Sequence, residues 1–298
     1  MTQLGLLSIR IPFNPNIISS GSFTLSWHGL LSFVGVAVAV YLIARWARKR
    51  DLDPDMVYNT AIWAILGGIV GARIVHVADN WDVYRHNPGD IFALWAGGIG
   101  LWGAILGGWA AGMIYARISR YPVGKLMDLA APAMLIAQTI GRVGDIINGE
   151  HWSRATSLPW GWYFSHVDNP GRDGAQRFFG DPEKPVHPAV VYEMIWNMLV
   201  LAVIFRFRDR LKPNGSLWMV YLALYAAGRF MIQFVRLDSV KFWGLQEAHL
   251  IALLVLLVTV PFIVWKTRFK KPGENGGTPG PQGSTRTERR RKLRSAKI

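Results

Sequence analysis

The sequence contains no cysteine and comparatively few charged residues. Without cysteine, the chain cannot form disulfides, build a thiolate metal site or supply a thiol nucleophile of its own. Charged residues make up only 17% of the 298 positions, whereas about a quarter is usual in soluble proteins. Instead, 51% of the residues are hydrophobic and 14 are tryptophan. This composition predicts a membrane-embedded protein.

Hydrophobic segments recur along the chain without a soluble block between them. A spanning helix needs about 20 mostly apolar residues. The candidate spans are 24–44, 56–77, 91–116, 126–147, 188–205, 216–235 and 247–265. The sequence therefore predicts an all-α polytopic membrane protein with about seven transmembrane helices.

The distribution of lysine and arginine predicts the orientation of these spans. Of the 33 basic residues, 22 lie in alternate loops and in the C-terminal tail, eight lie on the opposite side, and three lie inside spans. Because the basic side faces the cytoplasm, we expect the N-terminus outside and the C-terminus inside. Topology then accounts for the net charge of +14, and no nucleic-acid partner is expected.

The chain divides into three regions by composition. Residues 1–23 read as an extracytoplasmic arm, since Pro12 and Pro15 interrupt any signal-peptide pattern. Residues 24–265 form the transmembrane domain, and 266–298 form a basic tail that is predicted to be disordered. The transmembrane domain includes an extracytoplasmic loop region, 148–187, whose aromatic residues fit either an interfacial belt or a lid over a site.

Glycines recur four residues apart in two of the spans. The pairs are Gly67 and Gly71, Gly103 and Gly107, and Gly108 and Gly112. Small residues at this spacing allow the backbones of two helices to approach closely in lipid. We expect close helix packing at these positions and no catalytic role.

Three arginines, Arg73, Arg142 and Arg229, lie within predicted spans, where a charge is costly unless it faces a partner or a cavity. One interpretation is a structural web in which Arg142 pairs with Asp145 and Arg229 with Glu193. The other is an anion site, because the planar guanidinium binds two phosphate oxygens at once and stays charged. A lipid phosphate is then the expected anion.

Other polar residues near the span ends leave two interpretations open. His28, at the start of the first span, is either an interfacial hydrogen bonder or a base, and His151 follows Glu150 directly in the aromatic loop region. The sequence offers no convincing set of metal ligands, so neither a metal nor a cofactor is expected.

Several motifs resemble those of the bacterial prolipoprotein diacylglyceryl transferase family. The segment GRVGDIINGE resembles the family signature. WHGL, HPAVVYE, YAAGRFMIQFVR and the Gly-rich WAGGIGLWGAILGG agree with the family in order and spacing. The resemblance covers roughly residues 10–265.

The resemblance implies a function and a set of site residues. Members transfer the diacylglyceryl group of phosphatidylglycerol to the lipobox cysteine in the signal peptide of preprolipoproteins, forming a thioether and releasing glycerol phosphate in the bacterial cytoplasmic (inner) membrane. The candidate catalytic residues are Arg142, Arg229, Glu150, Tyr225 and His28. The candidate phosphatidylglycerol-binding residues are Arg142, Arg229, Arg73, Asn148 and Asp145.

The chain also departs from the family pattern at five positions. These are His28, Trp102, Asp145, Ser153 and Gln233, where members often have Tyr, His, Asn, Gly and Glu respectively. Because of these departures, one alternative is that the chain is a non-catalytic paralogue that binds lipid or lipoprotein. An anionic-lipid transporter is a further alternative, although no internal repeat is detectable. We expect an active transferase.

Overall fold

The computed structural model describes residues 8–20, 23–93, 97–98 and 100–270, most of which are helical. The helices are α1 (Trp27–Arg48), α2 (Pro54–Asp79), α3 (Trp81–Tyr84), α4 (Leu101–Ile118), α5 (Val123–Asn148), α6 (Pro170–Phe179), α7 (Ala189–Phe207), α8 (Ser216–Gln233) and α9 (Glu247–Lys266), with a 3-10 turn at Pro88–Phe92. The predicted basic tail beyond residue 270 and residues 1–7 of the predicted arm lie outside the described residues.

Five helices, α1, α2, α5, α7 and α9, are long and apolar enough to cross a membrane. The chain is therefore a multi-pass membrane protein, as its composition predicted. The two other predicted spans correspond to α4 and α8, which have 18 residues each. Neither is among the five, because the glycines of α4 and the polar side chains of α8 dilute their apolar character.

The third predicted span, 91–116, was wrong at its start, because the helix begins only at Leu101. Gly97 and Gly98 have φ angles of 81° and 77°, which lie in the left-handed region that no α-helix uses. The glycines that looked like part of a span therefore form the connection that precedes α4.

The helices pack in pairs that bring distant parts of the chain together. Helix α1 lies against α5, α2 against α4, and α8 against both α7 and α9. The contact between α2 and α4 confirms the predicted close packing, since a Cβ added to Gly103 would lie 2.0 Å from the Gly71 carbonyl oxygen. Between α5, α7 and α8, the buried side chains of Leu135, Ile204 and Leu217 form a shared core.

Short strands lie outside the helices and modify the all-α prediction. They are β1 (Ile9–Ile11), β2 (Asn16–Ser20), β3 (Phe23–Ser26), β4 (Trp162–Phe164), β5 (Leu211–Lys212), β6 (Val240–Phe242), β7 (Leu245–Gln246) and β8 (Arg268–Phe269). The pairs β2–β3, β5–β8 and β6–β7 are antiparallel. Strand β1 pairs in parallel with β4, so the N-terminal arm is hydrogen-bonded to the loop region 148–187.

Part of the aromatic loop region is a protein core rather than an interfacial belt. Trp162 and Phe164 of β4 are each 6% exposed and pack with Ile11 and Val190. Trp160, by contrast, is 48% exposed. This small layer covers the end of the bundle where α5 ends and α7 begins.

Candidate active site at one end of the bundle

Most of the polar side chains singled out from the sequence meet where α1 and α7 begin and α5 and α8 end. Helix α5 stops at Asn148 because Gly149 adopts a left-handed conformation, with φ of 70°. A Cβ on Gly149 would lie 2.2 Å from the side-chain oxygen of Asn169, so glycine is required there. The chain then reverses, and His151 returns to the last turns of α5.

Glu193 is the centre of a buried ion cluster on the first turns of α7. Its side chain is 4% exposed, and its carboxylate forms ion pairs with three guanidinium groups. Arg142 approaches Oε2, Arg229 approaches Oε1, and Nη1 of Arg236 lies 3.7 Å from Oε1. The pair predicted between Arg229 and Glu193 is therefore present, but it is one part of a larger cluster.

Asp145, one turn after Arg142 on α5, is the second anchor of the cluster. Its Oδ2 lies 2.6 Å from Nη1 of Arg142, as the sequence predicted, and its Oδ1 lies 2.5 Å from Nδ1 of His28. These two residues hold the two oxygens of a carboxylate that is 4% exposed. Asp145 therefore ties α1 to the arginine of α5.

His151 joins the two halves of the cluster, which the sequence did not reveal. Its Nδ1 lies 3.0 Å from Nη2 of Arg236, and its Nε2 lies 3.0 Å from Nη1 of Arg142 and 3.3 Å from Oδ2 of Asp145. A guanidinium can only donate, so Nδ1, which faces only Arg236, accepts. The proton of the neutral ring is then on Nε2, which faces both the Asp145 carboxylate and the Arg142 guanidinium.

Arg236 reaches the cluster because the segment after α8 pairs with the segment around Trp152. The Arg154 amide donates to the Val235 carbonyl at 2.8 Å, and the Leu237 amide donates to the Trp152 carbonyl at 3.1 Å. This pairing places Arg236 among the buried residues, with 5% exposure.

Asp238 compensates Arg236 on its outer side. Nε of Arg236 donates to Oδ2 of Asp238 at 3.1 Å, and Gln233 donates to the same oxygen at 2.5 Å. Burial by itself would raise the pKa of Asp238, but the charge of Arg236 and these hydrogen bonds outweigh it and hold the pKa below its ordinary value. The cluster thus contains three arginines and three carboxylates, and its formal charges cancel.

The arginines differ in how many of their donors are already used. Within the described part of the chain, Arg229 engages a partner only through Nη1, and Arg142 only through Nη1 and Nη2. Their side chains are 20% and 18% exposed. Nε of both, and Nη2 of Arg229, therefore remain available to an anion that enters the cluster.

Arg73 has a different environment, and within the described residues no contact joins it to this cluster. Its three nitrogens donate to five backbone carbonyls between α2 and α4. These are the carbonyls of Asp90, Ile91, Ala93, Gly97 and Gly98. The guanidinium also lies 5.2 Å from the Tyr84 ring. Arg73 therefore holds this connection together and has no nitrogen left for a phosphate.

The remaining candidates border the cluster. Tyr225 lies one turn before Arg229 and close to the Arg142 guanidinium. Asn148 is buried at the end of α5, with 4% exposure. Glu150 is exposed, and its charge acts on His28. Trp102 lies elsewhere, where its indole donates to Glu247 at 2.5 Å.

Two of the family departures are buried beside the cluster. Ser153, 2% exposed, lies in the segment that pairs with Arg236. Gln233, fully buried, donates to Gln246 as well as to Asp238.

Across the described residues, no group of three or more His, Asp or Glu side chains has an arrangement that could hold a metal ion. The arrangement suits an anion held by guanidinium groups.

Comparison with known proteins gives a consistent result. The family model described as prolipoprotein diacylglyceryl transferase matches residues 15–265. A phosphatidylglycerol–prolipoprotein diacylglyceryl transferase of Trichormus variabilis is 35% identical over 265 residues, which cover 87% of this chain and 91% of that protein.

Two more distant relatives carry the same name. The protein of Synechococcus elongatus is 32% identical and is matched over 92% of this chain and 94% of its own length. The protein of Listeria innocua is 31% identical, over 86% of this chain and 90% of its own length. The residues matched by the family model include the whole ion cluster. The chain therefore belongs to the prolipoprotein diacylglyceryl transferase family.

Proposed function

We propose that this chain is an enzyme of the bacterial cytoplasmic (inner) membrane that transfers the diacylglyceryl group of phosphatidylglycerol to the lipobox cysteine of preprolipoproteins. The names of its relatives supply the donor and the acceptor. The observation in this chain that carries the proposal is the convergence of Arg142 and Arg229 on Glu193, with guanidinium donors still unused. A chain without cysteine also fits a reaction whose nucleophile belongs to the substrate.

Arg142 and Arg229 are the residues we assign to the lipid phosphate. The three arginines are neutralised by three carboxylates, so the cluster carries no net formal charge. A phosphodiester that enters it meets the free N–H groups of both arginines in a site of low dielectric. When the carbon–oxygen bond breaks, negative charge moves from sulfur to the leaving phosphate, and a pre-placed donor stabilises that charge by about 2.7–4 kcal/mol.

The neighbouring residues take supporting roles in this proposal. Asp145 orients Arg142 through its 2.6 Å contact. Tyr225 faces the Arg142 charge and can direct its hydroxyl at the same phosphate. Asn148 and Glu150 flank the turn at the end of α5, where the glycerol headgroup would lie next to the phosphate. We assign no phosphate contact to Arg73, because its donors are occupied.

We further propose seven spans with the ion cluster at the extracytoplasmic end. Helices α4 and α8 pack on candidate spans along their length, and 18 residues extend for about 27 Å, close to the roughly 30 Å hydrocarbon core. Seven spans leave the basic loops and the 266–298 tail in the cytoplasm. The described part of the arm, 8–20, and the loop region 148–187 then cover the site from outside.

A transfer assay tests the function directly. The purified protein would be mixed with phosphatidylglycerol vesicles and a lipobox peptide, and the mass of the peptide followed. We expect a gain of one diacylglyceryl group that disappears when the peptide cysteine is replaced by serine. Lipid binding without any mass gain would reject the transferase and favour the non-catalytic paralogue. Movement of intact phosphatidylglycerol between leaflets, without a thioether, would favour a transporter.

A further inference from the structure

The contact between His28 and Asp145 is the shortest link between α1 and the ion cluster. His28 is the second residue of α1, and Ser26 caps this helix by accepting the Gly29 amide at 3.1 Å. Beside Asp145, Gly144 leaves room for α1, since a Cβ there would lie 2.7 Å from the Cα of His28. The local backbone thus places the imidazole against the carboxylate, with 2.5 Å between Nδ1 and Oδ1.

The partners of Asp145 fix the protonation pattern of His28. Its other oxygen is paired with Arg142 at 2.6 Å, so the group is a carboxylate and can only accept. Nδ1 of His28 must therefore carry a proton and donate it to Oδ1. In the neutral ring, the lone pair then resides on Nε2, which has no hydrogen-bond partner in the part of the chain that the structure describes. The His28 side chain is 43% exposed, so Nε2 is accessible.

The other titratable side chains next to the cluster are less suited to accept a proton. Both nitrogens of His151 are occupied, Nδ1 by Arg236 and Nε2 by Arg142 and Asp145. Glu150 is exposed, and among the described residues no contact with the cluster orients its carboxylate. Of the described histidines in the cluster, His28 is the one that combines a fixed tautomer, an oriented ring and a free nitrogen. This is the arrangement in which a carboxylate orients a histidine that acts as general base.

We infer that His28 is the base that deprotonates the substrate thiol and that Asp145 is the residue that positions it. This inference rests on the proposed function. The thiol proton moves to Nε2 of His28 and sulfur bonds to the glycerol carbon. The carbon–oxygen bond to phosphate breaks and leaves its electron pair on the phosphate oxygen. The imidazolium, stabilised by Asp145, then returns its proton to the departing phosphate or to water.

Asp145 gives this arrangement a second property, because one carboxylate holds both the base and the phosphate-binding Arg142. Each of its oxygens serves one of them. The proton acceptor and the site of the leaving charge are thereby fixed relative to each other, which is what an oriented reaction requires. A contact that served only to join α1 to α5 would not need Nε2 to be free and accessible.

The pH dependence of a His28→Gln variant separates a base from a structural contact. The charges that act on the ring are Asp145, Glu150 and Arg142, and none comes from α2, the other helix packed on α1. A free thiol has a pKa of about 8.5, so solution ionises it as the pH rises. We expect the variant to lose about 10²–10⁴-fold in kcat at pH 7 and to recover about tenfold per pH unit up to 8.5.

The matched control is His86→Gln. His86 is exposed, and the contact that the described residues give it is with the backbone carbonyl of Asp82, in the segment that follows α2. It should leave kcat unchanged at every pH. Asp145→Asn should also lower kcat. Because it weakens the ion pair that orients Arg142, it should also raise KM for phosphatidylglycerol. A peptide with selenocysteine, whose selenol ionises at lower pH, should reduce the defect of His28→Gln but not a defect in lipid binding.

The outcomes distinguish this inference from the proposed function. A ratio of wild-type to His28→Gln kcat that is the same from pH 6.5 to 9 would overturn the role as base, even if the variant is slow. Wild-type kcat in the variant would do so as well. Phosphatidylglycerol binding and thermal unfolding of the variant show whether it is folded. No transfer by the wild-type protein at any pH would instead remove the proposed function.

Discussion

Replacing Glu193 by glutamine should destabilise the protein more than any exposed charge replacement. The carboxylate is 4% exposed, and Arg142, Arg229 and Arg236 all lie within ion-pair distance. Glutamine keeps the shape but removes the charge. Arg142 still has Asp145 and Arg236 still has Asp238, whereas Arg229 is left without a carboxylate. Removing one partner of a buried pair typically costs about 3–5 kcal/mol, because the other charge stays buried.

The assay is equilibrium unfolding in mixed detergent micelles, compared between wild type, the single variants Glu193→Gln and Arg229→Gln, and the double variant. We expect a loss of about 3–5 kcal/mol in Glu193→Gln and a partial recovery in the double variant, since neutrality is restored. A loss below about 1 kcal/mol, the value of a solvent-exposed pair, would refute the reasoning. So would a double variant whose loss equals the sum of the two single losses.

Three further predictions concern other parts of the molecule. Arg73→Gln should expose the connection before α4 to proteolysis while leaving KM for phosphatidylglycerol within about twofold; a large rise in KM would contradict its role as a clamp. Gly103→Val should separate α2 from α4 and cost at least about 1–3 kcal/mol in unfolding free energy, whereas a stable variant would contradict the close packing. Burial lowers the pKa of His187 below 6.5, so the unfolded chain binds a proton first and stability falls as pH drops through and below 6.5. His187→Gln should reduce the difference between the unfolding free energies measured at pH 7.5 and pH 5. An unchanged difference would contradict this.

The sequence predicted the helices well because a spanning segment needs only a long apolar run. Each of the seven predicted spans overlaps one long helix of the structure. The error at the start of α4 arose because glycine is compatible with a helix in lipid and with a left-handed turn, and hydropathy does not distinguish them. The strand pairing of the N-terminal arm depends on β4, about 150 residues later, and no local pattern announces it.

The candidate site was predicted in part. Arg142, Asp145, Arg229 and Glu193 lie at helical spacings or in family motifs, and their pairing followed from the charges. The position of His151 depends on the left-handed turn at Gly149, which the sequence could have indicated through the Gly at the helix end. The contact of His28 with Asp145 spans 117 positions and requires the packing of α1 on α5.

The three buried arginines looked equivalent in the sequence and are not. Arg73 lies beside backbone carbonyls of the connection before α4, whereas Arg142 and Arg229 lie beside carboxylates. Helical periodicity reports the face on which an arginine lies, but it does not report whether a carbonyl or a carboxylate faces it. That difference decides which arginine retains donors for a substrate.

The most direct test of the account is the transfer rate of Arg142→Ala at saturating phosphatidylglycerol. Arg85→Ala is the control, because Arg85 is exposed beside Asp82 at the same end of the bundle. Insertion into membranes and thermal unfolding would establish that both variants are folded. The account predicts that Arg142→Ala loses at least about 100-fold in kcat while Arg85→Ala keeps wild-type kcat. Full transfer activity in a folded Arg142→Ala protein would contradict the assignment of the leaving phosphate to this cluster.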